Sequence, residues 1–439
     1  MTLIETLSYP AAPLPTKLQA ILGRRSGVPA HVEQAVRQVL EAVRTRGDAA
    51  VAEFTEQFDR VRLAPSQFRV PAAVMAAALA ALDPQLRQAI EAAAVNIRAF
   101  HERQRVNSWF MEDGDGVILG KKVLPIGRVG ICVPGGQAPL FSSLLMAAIP
   151  AQVAGVPELC VVSPPQADGR PHPTILATAQ LLGLTEVYGL GGAQAVGAMA
   201  FGTATIKGVD KIVGPGSVYT VAAKQQVYGV VGIEMIPGPS ELVVLADEQA
   251  DPRYVAADLL SQAEHGTGFE AVVCITPSAE LAGQVQQAVE EQLARLPRAE
   301  AAQQALENFG ALVVVPDLKT GIELLNRLAP EHAELLVQDP WSLVDQVKNA
   351  GALFLGPAST EPVGDYFAGT NHVLPTNGAA RFSSSLGVAD FLKTTSIVAY
   401  TPARLAEVGE QIIRLAEAEG FAAHAEAVRL RLEDYRSKP

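Results

Sequence analysis

"ELCVVSPP" (158–165) is a short apolar run closed by two prolines. It is too brief for a helix and too continuous for a half-exposed strand, so it reads as a strand buried on both faces. The next seventy residues identify the sheet it belongs to. "HPTILATAQLLG" (172–183) reads as a helix, "TEVYGL" (185–190) as a strand and "AQAVGAMAFG" (193–202) as a helix. "VDKIVGPG" (209–216) is then a strand and "SVYTVAAKQQVYG" (217–229) a helix. Strands joined through helices must run parallel, so this series predicts an α/β layer covered on both faces.

A second series starts at "ELVVLAD" (241–247). It runs through a helix from Asp251 to "LLSQAEHGTG" (259–268), the strand "EAVVCIT" (270–276) and a long helix 278–295. "GALVVVP" (310–316), "AELLVQ" (333–338) and "ALFLG" (352–356) read as strands, with helices 318–328 and 340–349 between them. Residues 28–107 carry apolar residues at helical spacing, 357–385 read as loop, and 386–436 as mostly helical. The two α/β halves are compatible with distant copies of one unit. The tail is too short for a core of its own and is expected to pack on a larger surface.

The composition suits large buried cores: 49% of the 439 residues are hydrophobic and 18% charged. A net charge of -12 disfavours nucleic acid and anionic membrane as partners. Cys132, Cys160 and Cys274 have no CxxC spacing and read as reduced, buried thiols. The first residues lack a signal-peptide pattern, and the longest apolar stretch (72–82) is too short to span a bilayer. A soluble, cytoplasmic protein is expected.

Three glycine-rich turns, "VPGGQAPL" (133–140), "GLGGAQAVG" (189–197) and "IVGPGSVYT" (212–220), fall where strands give way to helices. Such turns admit a phosphate to backbone amides, but none is a GxGxxG, and each is also an ordinary tight turn. Among the seven histidines, His31, His101 and His172 sit in helical or surface-like contexts. Gln262 and His265 share a helix face, a spacing that fits a metal site and equally a capped helix end. Glu331-His332 joins a carboxylate to an imidazole just before a strand, a pattern suited to general base work. His372 follows Asp365 closely, and His424 lies five residues after Glu419.

The motifs "VPGGQAPLFSSLLMAAIPA", "GGAQAVGAMAFGT", "KIVGPG", "GPSELVVLAD", "SQAEHG", "APEHAELL", "EPVGDYFAGTNHVLPT" and "EGFAAHAEA", in this order from about residue 120 onward, resemble histidinol dehydrogenase. The resemblance implies oxidation of L-histidinol to L-histidine with two NAD and one zinc per site. It implies Gln262, His265, Asp365 and His424 as zinc ligands and Glu331 and His332 as the catalytic pair. Implied substrate contacts are Ser240, Gln262, His265, His332, Asp365, Glu419 and His424. Gln194 matches a cofactor contact. Cys132 and Ser217 stand in the cofactor set where tyrosine and asparagine are expected, and "EMIPGPSE" departs from "DMPAGPSE".

The implied architecture is two Rossmann-like parallel-sheet domains in an intertwined homodimer. Residues 1–27 would form an arm, and 28–128 with 241–385 the α/β domain holding zinc and catalytic residues. Residues 129–240 would be the NAD-binding domain, and 386–439 a tail completing the partner's site. In the implied mechanism neutral His332 takes the alcohol proton and later assists the second oxidation, while Glu331 activates water. Zinc orients the substrate, and Glu419 meets its ammonium. The alternatives are a related zinc/NAD dehydrogenase of another hydroxyalkyl substrate, a zinc hydrolase using Glu331, and a nucleotide-binding regulatory protein.

Overall fold

The computed structural model describes residues 3–24, 27–136, 138–297 and 299–437. Contacts divide the chain into two compact units. One comprises Met1–Gln104 with Ile126–Asp390, the other Arg105–Pro125 with Phe391–Pro439.

The first unit holds two parallel sheets. One is ordered Val187–Gly189, Glu158–Ser163, Arg128–Cys132, Lys211–Val213, Gly232–Ile233. The other is ordered Glu5–Ser8, Gly310–Val314, Ala271–Thr276, Glu241–Ala246, His332–Leu336, Ala352–Leu355. Within each, the first strand of the series is central, the next two lie on one side and the last two on the other. Both halves therefore share one winding order, with Glu5–Ser8 added at the edge of the second. Strands 241–246 and 271–276 are buried along their whole length, as their unbroken apolar runs require. Phe141–Ala154 is apolar all round, and the first sheet's layers bury nearly all of it.

Several expectations change. Within the segment read as an arm, Glu5–Ser8 joins the second sheet by pairing in parallel with Gly310–Val314. Helices Ala30–Arg46 and Asp48–Asp59 bury Val36, Leu40, Val43 and Val51 in one cluster with Cys132, Cys160, Val196 and Ile212. They belong with the 129–240 layer and not with 241–385. Periodicity shows which face of a helix is buried, not which sheet it meets. Ala299–Phe309 is a helix missed in the sequence, and Pro340–Gln346 is a 3-10 turn where a longer helix was expected.

In the second unit, Leu392–Tyr400 is a strand within a stretch read as helical. It pairs antiparallel with Val117–Pro125, which pairs in turn with Trp109–Glu112. Isolated β-branched residues in "LKTTSIVAY" suit a strand, but helix-rich flanks hide them. Two helices, Pro402–Ala418 and Ala422–Ser437, complete the unit as a hairpin burying Ile413, Ala425 and Leu432.

Candidate functional site

The winding order locates a switch point in the first sheet. In the 128–233 sheet the connection reverses between Arg128–Cys132 and Lys211–Val213, and the turns after them are VPGG and GPG. Ligands of open parallel sheets favour this position, outside the carboxyl ends at the switch point. Gly214 has φ +103, and a Cβ there would stand 2.2 Å from the Cys132 carbonyl. Only glycine lets the two turns approach so closely. Its N–H donates to Glu234 Oε1 at 2.8 Å, and its carbonyl accepts from Lys224 Nζ at 2.9 Å. Lys224 and Glu234 pair at 2.5 Å, each side chain 1% exposed. Ser217 is exposed and caps helix Val218–Val227, accepting from Thr220 N–H at 3.5 Å. Cys132 and Gln194 are buried. Burial pushes the Cys132 thiol up to about 12, and Gln194 Nε2 donates to Asp59 at 3.2 Å.

In the 241–336 half, the catalytic candidates lie at the opposite, amino ends of the strands. Glu241 and His332 each begin a strand, and those strands are neighbours. Asp251 caps the intervening helix by accepting from Arg253 N–H at 2.8 Å, and Pro252 fixes its first turn. Running back along the sheet, this helix ends at Ala263, which returns Gln262 and His265 to the amino edge.

Hydrogen bonds there fix a chemical state. His332 Nδ1 lies 2.8 Å from Gln262 Oε1 and 3.1 Å from the Glu241 carbonyl. Both partners are acceptors, so Nδ1 carries the proton and Nε2 keeps its lone pair. Among the described residues Nε2 is buried without a hydrogen-bond partner, 3.9 Å from Asp365 Oδ1. The Gln262 amide meanwhile donates to His265 Nδ1 at 3.2 Å. Burial, aided by the neighbouring His265 and His372, lowers His332 to about 3, overriding the Glu241 carbonyl. The imidazole is therefore neutral throughout the physiological range, where an unperturbed ring would be partly charged. Glu331 accepts from Glu241 N–H at 3.1 Å and hydrogen-bonds Ser240. Burial, then the Glu241 carboxylate beside it, raises Glu331 well above the usual carboxylate range.

Asp365 brings in a residue the sequence reading did not single out. Ligand atoms of His332, Glu361 and Asp365 lie within 4.8 Å of one another. Burial, then Asp365, raises Glu361 to about 8, and burial raises Asp365 to about 6. Two buried carboxyl groups beside neutral imidazoles are costly unless protonated or bound to a cation. Such a cluster of N and O donors fits a divalent metal, and of the ligand set implied by the resemblance it contains Asp365 alone. His372 Nδ1 donates to the Asp365 carbonyl at 3.0 Å, which leaves Nε2 to accept from Ser143 Oγ at 3.3 Å.

Gln262, His265, Glu331, His332 and Asp365 are thus assembled in one place, with Ser240 beside them. Glu419 and His424 belong to the second unit, where both are exposed and the His424 ring lies 5.1 Å from Phe421. The remaining histidines have structural settings or none. His101 donates to the Ile97 carbonyl at 2.8 Å, His172 caps a helix, and His31 is exposed.

Comparison with known proteins converges on one family. Residues 23–432 match the family model of histidinol dehydrogenase. Histidinol dehydrogenase of Geobacillus kaustophilus is 51% identical over 400 residues, 91% of this chain and 94% of that protein. The enzyme of Heliobacterium mobile is 47% identical, covering 98% of this chain and all of its own. The crystal structure of histidinol dehydrogenase from Elizabethkingia anophelis superposes with a TM-score of 0.92 at 39% identity, covering 100% of both chains. With the family model spanning most of its length and close relatives and a solved structure in agreement, this chain belongs to the histidinol dehydrogenase family.

Proposed function

We propose that this chain oxidises L-histidinol to L-histidine, a reaction of histidine biosynthesis, through bound L-histidinaldehyde. The observation that carries the reading is the fixed tautomer of His332, with a bare Nε2 facing the Asp365 carboxylate. Gln262, His265 and Asp365, with His424 from the second unit of a partner subunit, would hold zinc. Glu361 stands beside Asp365 to share its charge. The switch point between the 133–136 and 214–217 turns suits a dinucleotide, with the exposed Ser217 at its edge. Because Cys132 and Gln194 are buried, they would shape that position from beneath. When bound, NAD would accept hydride and zinc would supply a Lewis-acid anchor for the substrate.

The chain's own groups do the rest. His332 Nε2 takes the alcohol proton in the first oxidation, and its Nδ1–H stays held by Gln262 and Glu241. Burial makes Glu331, once ionised, a stronger base than an exposed carboxylate, suited to taking a proton from water that adds to the aldehyde. Once it has released that first proton to solvent, His332 receives the hydrate's proton in the second oxidation. Ser240 holds the Glu331 carboxyl in place. Glu419 would select an ammonium-bearing alcohol, which disfavours an anionic hydroxyalkyl substrate.

A homodimer with shared sites is part of this reading. The second unit exposes Trp109, Phe110, Met111, Val398, Leu415 and Phe421, apolar surface of a kind that subunit interfaces cover. Among the described residues no helix is long and apolar enough to cross a membrane, and we place the enzyme in the cytoplasm. The test is an NAD-reduction assay with L-histidinol. About two NADH per substrate is the expected result by the reaction's four-electron balance. A ratio near one means release at the aldehyde, and no NADH at all supports a hydrolase instead.

A further inference from the structure

Glu241 opens its strand beside His332, and its main-chain N–H and C=O meet both members of the proposed catalytic pair. The N–H donates to Glu331 Oε2 and the carbonyl accepts from His332 Nδ1, each at 3.1 Å. Its side chain is anchored in turn. Oε1 pairs with Arg24 at 3.3 Å, and Oε2 accepts from Asn377 N–H at 3.1 Å. Arg24 also donates to the Phe269 carbonyl at 2.6 Å and stacks 5.0 Å from the centre of the Phe309 ring.

Both charged side chains are under a tenth exposed. A buried ion pair is a weak source of net stability, because desolvation offsets attraction. Its consequence is geometric. Anchoring the Glu241 carboxylate from two sides restrains the residue whose two flanking peptides supply that N–H and that carbonyl. The restraint keeps the N–H toward Glu331 and the carbonyl toward His332.

The geometry points to Arg24 and Glu241 as positioning residues that set the working alignment of Glu331 and His332. Neither touches the reacting atoms. Arg24 reaches the site from the N-terminal segment, more than two hundred residues away in sequence. The inference rests on the reading of Glu331 and His332 as the catalytic pair.

The test is a double-mutant cycle on the full-length, zinc-loaded enzyme. Arg24→Ala, Arg24→Lys and Glu241→Gln are each made alone and together with His332→Asn. Alone, Arg24→Ala is expected to lower kcat about 10–100-fold, with histidinol KM and bound zinc within about twofold. Arg24→Lys, which keeps the charge without the planar fork, recovers part of the loss. In the His332→Asn background the same change costs less than about threefold, because its effect passes through a group already removed.

Equal losses in both backgrounds overturn the inference, as does loss of zinc in parallel with kcat. Should Arg24→Ala melt below the assay temperature, Glu241→Gln carries the same comparison with the side-chain shape preserved. Full activity of His332→Asn by itself refutes the catalytic pair, an outcome distinct from an additive cycle.

Discussion

Gln262 Oε1 lies 2.8 Å from His332 Nδ1, so a residue assigned to the metal also fixes the proton of the residue assigned as base. Anchor and base are coupled through one amide. His332→Asn should leave zinc near normal and lower the first hydride step ~10²–10⁴-fold, the usual cost of a missing general base. Zinc analysis beside single-turnover NADH formation checks this, and loss of zinc would make His332 a ligand.

Glu361 belongs to the carboxyl cluster with Asp365, and its removal separates charge from shape. Glu361→Gln is expected to weaken zinc binding about 10–100-fold, the range seen when partners of metal ligands are lost. Competition against a chelator measures it. Unchanged affinity places Glu361 outside the metal's influence.

The shared-site reading predicts complementation. Inactive His332→Asn and His424→Asn chains, dissociated and reassociated together, should recover roughly a quarter of wild-type activity. Half the dimers are mixed, and each of those has one intact site. No recovery, with mixed dimers demonstrated, means each tail serves its own subunit.

Burial of the Lys224–Glu234 pair makes a contrast between single and double variants. Lys224→Met leaves Glu234 buried and unpaired, a cost of about 3–5 kcal/mol, whereas adding Glu234→Leu should restore most of it. Denaturant unfolding measures both. Titration with NAD then asks whether the switch point has opened, since the pair holds both backbone groups of Gly214.

Asp59 gives a pH dependence with a definite sign. Burial raises it to about 6 in the folded chain, against about 3.9 unfolded. Between these values the folded state binds more protons, so stability falls as pH rises from about 4 to 6 and stays lower above. Asp59→Asn should therefore stabilise by about 1 kcal/mol at pH 8, after allowance for solvent screening, and by little below pH 4. Its amide oxygen can still accept from Gln194. Thermal unfolding at both pH values checks the sign.

Much of the parallel layering was legible because buried strands such as Glu241–Ala246 are continuous apolar runs between helices. The metal and base candidates were legible as side chains with distinctive chemistry. Glu241 was not, since its work is done by main-chain N–H and C=O, which every residue carries. Glu361 was hidden in a stretch read as loop, where a short helix sets it beside Asp365. Helices 30–46 and 48–59 were visible as helices, but their partner sheet depends on contacts far apart in sequence.

The edge strand Glu5–Ser8 changes what trimming this protein would mean. It occupies the open side of Gly310–Val314, helix Thr16–Leu22 comes next, and Arg24 lies two residues after that helix. One continuous strap thus joins a sheet border to Glu241, whose main chain meets Glu331 and His332. Deleting the first nine residues would uncover a row of unpaired amides and carbonyls, a template for chain-to-chain association. It would also slacken the segment that delivers Arg24. Aggregation and slow turnover should therefore arrive together from one cut made far along the chain from Glu331 and His332.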